Sequence, residues 1–110
     1  MRYGPRPRLT ASQTMAKYNL SKRAVADLEL IAEYTIKRFG LLQARRYRDG
    51  VKSCLEQLAD NPELGQRVEQ LARGLQRFSY QSHVVFYLQK QDGLFVVRIL
   101  HSRMDVPRHF

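Results

Sequence analysis

The sequence has only one cysteine, Cys54, and no apolar run long enough to cross a bilayer. A lone cysteine excludes an internal disulfide framework and a multi-cysteine zinc site. Because Cys54 falls within a helical apolar pattern, we expect a small core thiol rather than a nucleophile. A membrane crossing needs roughly 20 apolar residues, and the first residues lack the apolar stretch of a signal peptide. The expected location is a reducing cytoplasm, with no membrane partner.

Acidic residues are also few, with 10 against 19 lysines and arginines and a formal net charge of +9. Three of these charges belong to Arg2, Arg6 and Arg8, so the rest of the chain is still basic. Such a balance favours acidic partners, which include nucleic acid, an anionic protein surface or a membrane face. The sequence nevertheless lacks the dense lysine and arginine clusters of a dedicated DNA-binding domain.

The chain divides into a short extension and one domain. Residues 1–14 contain two prolines and a glycine without any apolar period, which predicts a flexible basic N-terminal extension. Residues 15–110 have an ordinary apolar content and enough length for one hydrophobic core. We therefore expect a single domain over residues 15–110.

Apolar periodicity predicts two consecutive amphipathic helices. Ser21 is a suitable N-cap, and Gly40 is suited to end the first helix. The Asp60-Asn61-Pro62 segment ends the second, and Gly50 inside it indicates a close packing contact. The two apolar stripes are Ala24/Val25, Leu28, Ile31/Ala32, Thr35/Ile36 and Phe39, then Ala44, Tyr47, Val51, Cys54/Leu55 and Leu58/Ala59. The short link forces an antiparallel helical hairpin.

The remaining elements are predicted to be strands. Short β-rich runs occupy residues 17–20, 75–80, 83–90 and 94–101. Residues 63–73 remain ambiguous between a helical turn and a loop. The order β-α-α-β-β-β predicts an α+β fold in which the N-terminal helical hairpin packs on an antiparallel sheet.

Asp92-Gly93 predicts a two-residue turn, which would fix the register of the last hairpin. Phe86 would then lie opposite Ile99, and Tyr87 opposite Arg98. The face expected to pack on the helices carries Val84, Phe86, Leu88, Phe95, Val97, Ile99 and His101. The other face would carry His83, Val85, Tyr87, Gln89, Val96, Arg98, Leu100 and Ser102, a mixed surface typical of one that a partner covers.

No residue spacing indicates a metal site, a cofactor or a small-molecule substrate. The histidines and carboxylates lack metal-ligand spacing, and no glycine-rich loop is present to hold phosphates. One chemical alternative remains, which is metal-free RNA cleavage by His83, Tyr87 and Arg98, with Arg103 as a further cation. Apolar residues interrupt that set, so the favoured interpretation has no catalytic residues.

Four segments resemble a known family. They are LSKRAVADLELIAEYT, LADNPELGQ, SHVVFY and VVRILHSRMD, in this order. The chain is similar to the ParE toxins of type II toxin–antitoxin modules, within the ParE/RelE toxin superfamily. The resemblance implies the RelE-type fold, which agrees with the α+β prediction.

The resemblance also implies a function. ParE toxins inhibit DNA gyrase by trapping its cleaved complex with DNA, and a ParD-type antitoxin neutralises them. RelE relatives instead cut messenger RNA on the ribosome, often with a tyrosine near the C-terminus. Here the chain ends in Arg108-His109-Phe110, which favours a binding toxin over an enzyme. A relative that has lost its toxicity is a third possibility.

Candidate residues follow from the resemblance and from the sheet faces. The segment expected to contact gyrase contains Arg103, Met104 and Asp105, with His101 orienting it. An equally open alternative is that Arg103 and Asp105 pair locally and hold the end of the last strand. His83, Tyr87 and Arg98, on one face of the sheet, are candidates either for antitoxin contact or for the nuclease alternative.

Overall fold

The computed structural model describes residues 17–110, so the predicted extension over residues 1–14 lies outside the described part. The helices are α1 (Lys22–Phe39) and α2 (Leu41–Asp60), and short 3-10 turns cover Pro62–Leu64 and Val106–His109. The strands are β1 (Tyr18–Leu20), β2 (Gln66–Arg67), β3 (Gln76–Tyr80), β4 (His83–Lys90) and β5 (Gly93–His101). The predicted α+β class is confirmed. No helix within residues 17–110 is long and apolar enough to cross a membrane.

The helical hairpin begins and ends where the capping residues predict. The Ser21 hydroxyl accepts a hydrogen bond from the Ala24 amide at 2.9 Å, which satisfies one free donor of the first turn. Gly40 takes a positive φ of 90° and its amide donates to the Ile36 carbonyl. Because one residue joins α1 to α2, the two helices run side by side in opposite directions.

Gly50 marks a close approach between α2 and the sheet. A Cβ atom at this position would meet the phenol group of Tyr80 on β3. The predicted close packing contact is therefore present. The absence of a side chain lets the Tyr80 ring lie directly against the helix backbone, which sets the separation of α2 from the sheet.

The sheet is mixed rather than fully antiparallel. Its order is β1-β5-β4-β3-β2, and β1 runs parallel to β5. The Leu94 amide donates to the Lys17 carbonyl at 3.1 Å, next to Gly93 with a φ of 139°. Any side chain at Gly93 would collide with that carbonyl. Gly93 therefore serves the parallel strand pair as well as the hairpin, whose turn residues are Gln91 and Asp92.

The predicted register of the β4–β5 hairpin is wrong, because the two turn residues are Gln91 and Asp92 rather than Asp92 and Gly93. Phe86 lies opposite Arg98 and Tyr87 lies opposite Val96, with a β-bulge at Val97. A bulge places one extra residue on one strand, so the alternation of faces changes at that point. Tyr87 and Arg98 consequently do not form the predicted cross-strand pair.

Both faces of the sheet are buried, and the predicted assignment of faces is largely reversed. The face on the helices contributes Val85, Tyr87, Val96 and Ile99 to a core with Leu55 of α2. The outer face contributes Val84, Phe86 and Leu100, which pack on residues of the 68–75 segment. Two apolar faces explain why strict alternation of polar and apolar residues is missing from these strands.

The apolar stripe predicted for α1 is buried only in part. Ala24 is fully buried, and Leu28 and Ile31 pack against the core. Ile36 and Phe39, predicted to be core, are exposed by 44% and 61%. In α2 the predicted stripe is confirmed, including Cys54, a buried thiol whose pKa is raised by burial.

Candidate functional site

An open groove runs between the half of the helical hairpin next to Gly40 and the edge of the sheet where β4 begins and β5 ends. We call it the hairpin groove. Its lining residues are Leu30, Ile31, Tyr34, Thr35, Phe39, Gln43, Tyr47, Gln81, Ser82, His83, His101 and Met104. Leu30, Tyr34 and Phe39 are exposed by 64%, 60% and 61%, so large apolar side chains stand open to solvent along one wall. Contiguous exposed apolar surface of this kind marks an interaction site.

The floor of the groove is a hydrogen-bonded aromatic cluster. The Tyr47 hydroxyl lies 2.6 Å from Nδ1 of His83 and also donates to the Tyr80 carbonyl at 3.3 Å. The His83 and His101 rings meet edge to face with centroids 5.3 Å apart. The pair of histidines therefore lies side by side on the helix-facing side of the sheet, rather than on opposite faces as predicted.

Burial disfavours the charged forms of His83 and Tyr47 in this floor. It lowers the pKa of His83, and the neighbouring His101 lowers it further, because two adjacent imidazolium charges repel each other. Burial likewise raises the pKa of Tyr47 to about 12, with a smaller contribution from Tyr80. Nδ1 of His101 accepts a hydrogen bond from the Arg103 amide at 3.1 Å, so that nitrogen carries a lone pair. A floor in which charge on His83 is disfavoured suits an apolar ligand better than a phosphate.

Tyr87, a candidate for the nuclease alternative, is fully buried. Its hydroxyl donates to the Pro62 carbonyl at 2.6 Å and accepts from the Gly65 amide at 2.9 Å. Desolvation raises the pKa of this phenol. Tyr87 therefore anchors the loop after α2 to the sheet, and its hydroxyl is not available to a substrate.

Arg98, the candidate cation, forms a buried ion pair with Asp27 of α1. Its Nε and Nη2 atoms donate to the two carboxylate oxygens at 2.8 and 2.9 Å. The two side chains are only 13% and 9% exposed. Those hydrogen bonds raise the pKa of Arg98, and Asp27 also accepts the Ile99 amide at 2.9 Å. Asp27 thus accepts a hydrogen bond from the backbone of β5 at a position where β1 no longer pairs with that strand.

The structure does not bring His83, Tyr87 and Arg98 together at one site. His83 lies in the hairpin groove, Tyr87 contacts Pro62 and Gly65, and Arg98 contacts Asp27. His83 and Tyr87 share the helix-facing side of the sheet but lie at separate places on it, whereas the bulge at Val97 turns Arg98 to the other face, so the predicted shared face is wrong for Arg98. Within residues 17–110, no three histidine, cysteine or carboxylate side chains are placed to hold one metal ion.

The residues predicted to contact gyrase lie at one end of the hairpin groove. His101 and Met104 line it, and Met104 is 46% exposed. Arg103 and Asp105 are exposed and form no ion pair with each other. The Met104 amide donates to the His101 carbonyl at 3.0 Å, so a tight turn presents the segment. The predicted local pairing of Arg103 with Asp105 is absent, while the role in gyrase binding stays a prediction.

The sequence analysis missed Leu30, Tyr34 and Tyr47 as groove residues. Leu30 and Tyr34 are one helical turn apart and lie outside the predicted apolar stripe of α1. Two large apolar residues at this spacing on the solvent side of a helix are the signal of a second apolar face. Tyr47 was assigned to the core, and its hydrogen bond to His83 carried no sequence signal.

Comparisons with known proteins agree on one family. The chain matches the family model described as "ParE toxin of type II toxin-antitoxin system, parDE" over residues 18–106. It is 38% identical to Toxin ParE1 of Caulobacter vibrioides, over 86% of this chain and 98% of that protein. It is 37% identical to Toxin ParE1 of Mycobacterium tuberculosis, over 86% of this chain and 97% of that protein.

A solved structure gives the same fold. A chain from the structure titled "Chromosomal ParDE TA system from P. aeruginosa" aligns with a TM-score of 0.68 at 16% identity. The alignment covers 79% of this chain and 96% of that one. Fold and groove together define an α+β protein of the RelE-like type with an apolar groove along its helical hairpin. The chain belongs to the ParE toxin family of type II toxin–antitoxin systems.

Proposed function

We propose that this protein is a toxin that inhibits DNA gyrase by binding, and that a ParD-type antitoxin neutralises it. The observation that carries the proposal is the ParE family match over residues 18–106, which includes both the hairpin groove and the 103–105 segment. A gyrase inhibitor acts in the cytoplasm, where the chromosome is. Inhibition by binding requires no cofactor and no small-molecule substrate.

The separation of the nuclease candidates supports a binding mechanism. RNA cleavage without a metal needs a base, a proton donor and a cation around one phosphate. In this protein the Tyr87 hydroxyl and the Arg98 guanidinium are both held in internal hydrogen bonds. Only His83 of the three lies in an open groove.

The hairpin groove is the proposed site for the antitoxin. Its wall carries exposed leucine, tyrosine and phenylalanine side chains, and its lining contains no lysine, arginine, aspartate or glutamate. A helix from a partner can bury an apolar face in such a groove. The 103–105 segment, which protrudes beside the groove, is the proposed contact for gyrase.

A supercoiling and cleavage assay tests the proposal. Purified gyrase, ATP and relaxed plasmid are incubated with this protein, with and without the antitoxin. We expect loss of supercoiling and accumulation of gyrase-linked linear DNA, both reversed by the antitoxin. The R103E/M104A variant should inhibit at least about tenfold less, since it changes two exposed side chains of the segment.

The opposite result has a clear meaning. A folded protein that is toxic to cells but leaves gyrase unaffected would contradict the proposal. Cleavage of ribosome-bound messenger RNA, abolished by H83A, would then establish the nuclease alternative. A protein that binds its antitoxin yet is harmless on induction would instead be a relative without toxicity.

A further inference from the structure

The end of the helical hairpin where α1 meets α2 is strongly basic. Residues 34–48 contain Lys37, Arg38, Arg45, Arg46 and Arg48 and not one acidic residue. We call the exposed surface formed by these cations with Leu41 and Leu42 the hairpin tip. In the sequence these cations fall in two groups separated by six residues, and no dense cluster was predicted. The fold gathers them, because Lys37 and Arg38 lie in the last turn of α1 and the arginines lie in the first turns of α2.

The opposite end of the same hairpin is acidic. Its charged residues are Lys22, Arg23, Asp27, Glu29 and Glu33 on α1, with Asp49, Lys52, Glu56 and Asp60 on α2. Acids outnumber cations there, whereas the tip has cations alone. The charge of the hairpin is therefore polarised along its length, and its field directs an anionic partner to the tip.

The tip cations are available to a partner. Lys37, Arg38, Arg45 and Arg46 are exposed, and none takes part in an ion pair with any residue in the 17–110 range. Arg48 pairs with Asp49 in a fully hydrated bridge, which contributes little. Four unpaired cations within about two helical turns of the tip form a compact surface, since each residue advances a helix by about 1.5 Å.

The tip differs in chemistry from the hairpin groove beside it. The groove lining contains no lysine, arginine, aspartate or glutamate and is suited to an apolar protein segment. The tip instead offers several cations, with Leu41 and Leu42 exposed by 53% and 63% between them. DNA-binding proteins combine cations for phosphates with apolar side chains that contact the minor groove.

We propose that the hairpin tip binds the phosphate backbone of double-stranded DNA. This inference builds on the proposed function, because DNA is part of the gyrase complex that the toxin would inhibit. Contact with DNA through Lys37, Arg38, Arg45 and Arg46 would leave the hairpin groove and the 103–105 segment free for protein contacts. The tip would thus add a second attachment point to the enzyme–DNA complex.

Fluorescence anisotropy of a labelled 20-base-pair duplex, titrated with the toxin alone at several salt concentrations, measures this binding. We expect R45Q/R46Q to weaken binding roughly tenfold at low salt and to reduce the slope of log K against log salt by about 2. The matched control is K22Q/K52Q, which removes the same charge from the acidic end. Its salt slope should equal that of the unchanged protein.

Two results would overturn the inference. Equal effects of R45Q/R46Q and K22Q/K52Q would mean that net charge alone attracts DNA. If R45Q/R46Q weakened the binding of a poly-glutamate peptide but not the binding of DNA, the tip would serve an acidic protein instead. Circular dichroism and the unfolding midpoint check that all variants fold, and K37Q/R38Q provides an independent second tip variant.

The experiment distinguishes this inference from the proposed function because gyrase is absent from it. Tip-dependent DNA binding by a protein that leaves gyrase unaffected would retain the inference and remove gyrase as the target. Gyrase inhibition by a protein that does not bind DNA would support the proposed function and overturn the inference about the hairpin tip.

Discussion

At the scale of single residues, Asp27 joins α1 to the last strand through three hydrogen bonds. It accepts two from the Arg98 guanidinium and one from the Ile99 amide. Both side chains of the ion pair are largely shielded from water. Removal of one partner from a buried pair leaves the other charge without compensation, which costs more than the pair itself contributes.

Replacement of Asp27 by alanine should therefore destabilise the protein by about 3–5 kcal/mol. D27N should cost less, because its amide oxygen can still accept from Ile99. Urea unfolding at pH 7 measures both values. R48A is the control, since the Arg48–Asp49 pair is exposed and its loss should change stability by less than about 1 kcal/mol. A smaller loss of stability in D27A than in R48A would contradict the role of Asp27 in joining α1 to β5.

His83 links stability to pH through its lowered pKa. The unfolded chain, with the ordinary histidine value of 6.5, binds a proton more readily at this position than the folded protein does. Stability from this residue is therefore fully present above that value and is lost as the pH falls toward the lowered pKa of the folded state. Both ring nitrogens of a protonated His83 are donors, so the Tyr47 hydroxyl would have to accept this hydrogen bond.

We expect the free energy of unfolding to decrease on acidification from pH 7.5 to pH 5.5. H83N, which retains an acceptor near the Tyr47 hydroxyl, should show a shallower pH dependence over this range. Urea unfolding at several pH values provides the comparison. Parallel curves for the two proteins would show that His83 does not titrate differently in the folded state.

At the scale of elements, the packing of α2 on β3 depends on Gly50. Alanine is favoured over glycine inside a helix by about 1 kcal/mol, so G50A would stabilise an open position. Here the added methyl group would meet the Tyr80 phenol, and displacement of that ring would disturb its contact with Tyr47.

G50A should therefore destabilise the protein by about 1–3 kcal/mol. The same substitution in a Y80L background should be neutral or stabilising, because the side chain it would displace is shorter. A double-mutant cycle from thermal or urea unfolding isolates this coupling. Additive effects of the two substitutions would contradict the packing explanation.

The elements themselves were predictable, whereas their pairing was not. Ser21, Gly40 and Pro62 carry local signals that act within a few residues, so the helix bounds follow from the sequence. The bulge at Val97 has no such signal, because it depends on how β5 meets β1 and β4 together. The faces of β4 were predicted the wrong way round because both faces of the sheet are apolar, so the sequence did not show which one the helices cover. The bulge on β5 turns Arg98 away from the face that carries Tyr87, since side chains alternate along a strand.

The candidate site was predictable only in part, for a similar reason. His83, His101 and Met104 were identified and do line one groove. The wall formed by Leu30 and Tyr34 depends on which side of α1 the sheet leaves uncovered. The internal role of Arg98 depends on Asp27, which is 71 positions away in the sequence.

At the scale of the whole molecule, the hairpin groove exposes large apolar side chains that internal packing does not explain. Its exposed wall residues contribute little to folding, so they can be changed without loss of the core. Substitutions of these residues can therefore test the proposed antitoxin binding without a large change in the stability of the protein. The comparison requires an equally exposed apolar residue elsewhere, and Leu64, exposed by 50%, lies outside the groove lining.

L30D/Y34D should weaken antitoxin binding by at least about a hundredfold, because two apolar contacts become charged. Stability should change by less than about 1 kcal/mol, as both residues are solvent-exposed. Isothermal titration calorimetry with the antitoxin measures the affinity, and L64D is the control. Unchanged affinity in L30D/Y34D with an intact fold would place the antitoxin on another surface.

The position of β5 in the sheet has a consequence for biosynthesis. This strand comes last along the chain, yet it lies between β4 and β1, which comes first. A nascent chain on the ribosome therefore cannot complete the sheet until Gly93–His101 has emerged, and the helices before it have no finished surface to cover. Translation products that end before Gly93 would lack the strand that joins β1 to β4, so this five-stranded sheet can form only late in each round of synthesis.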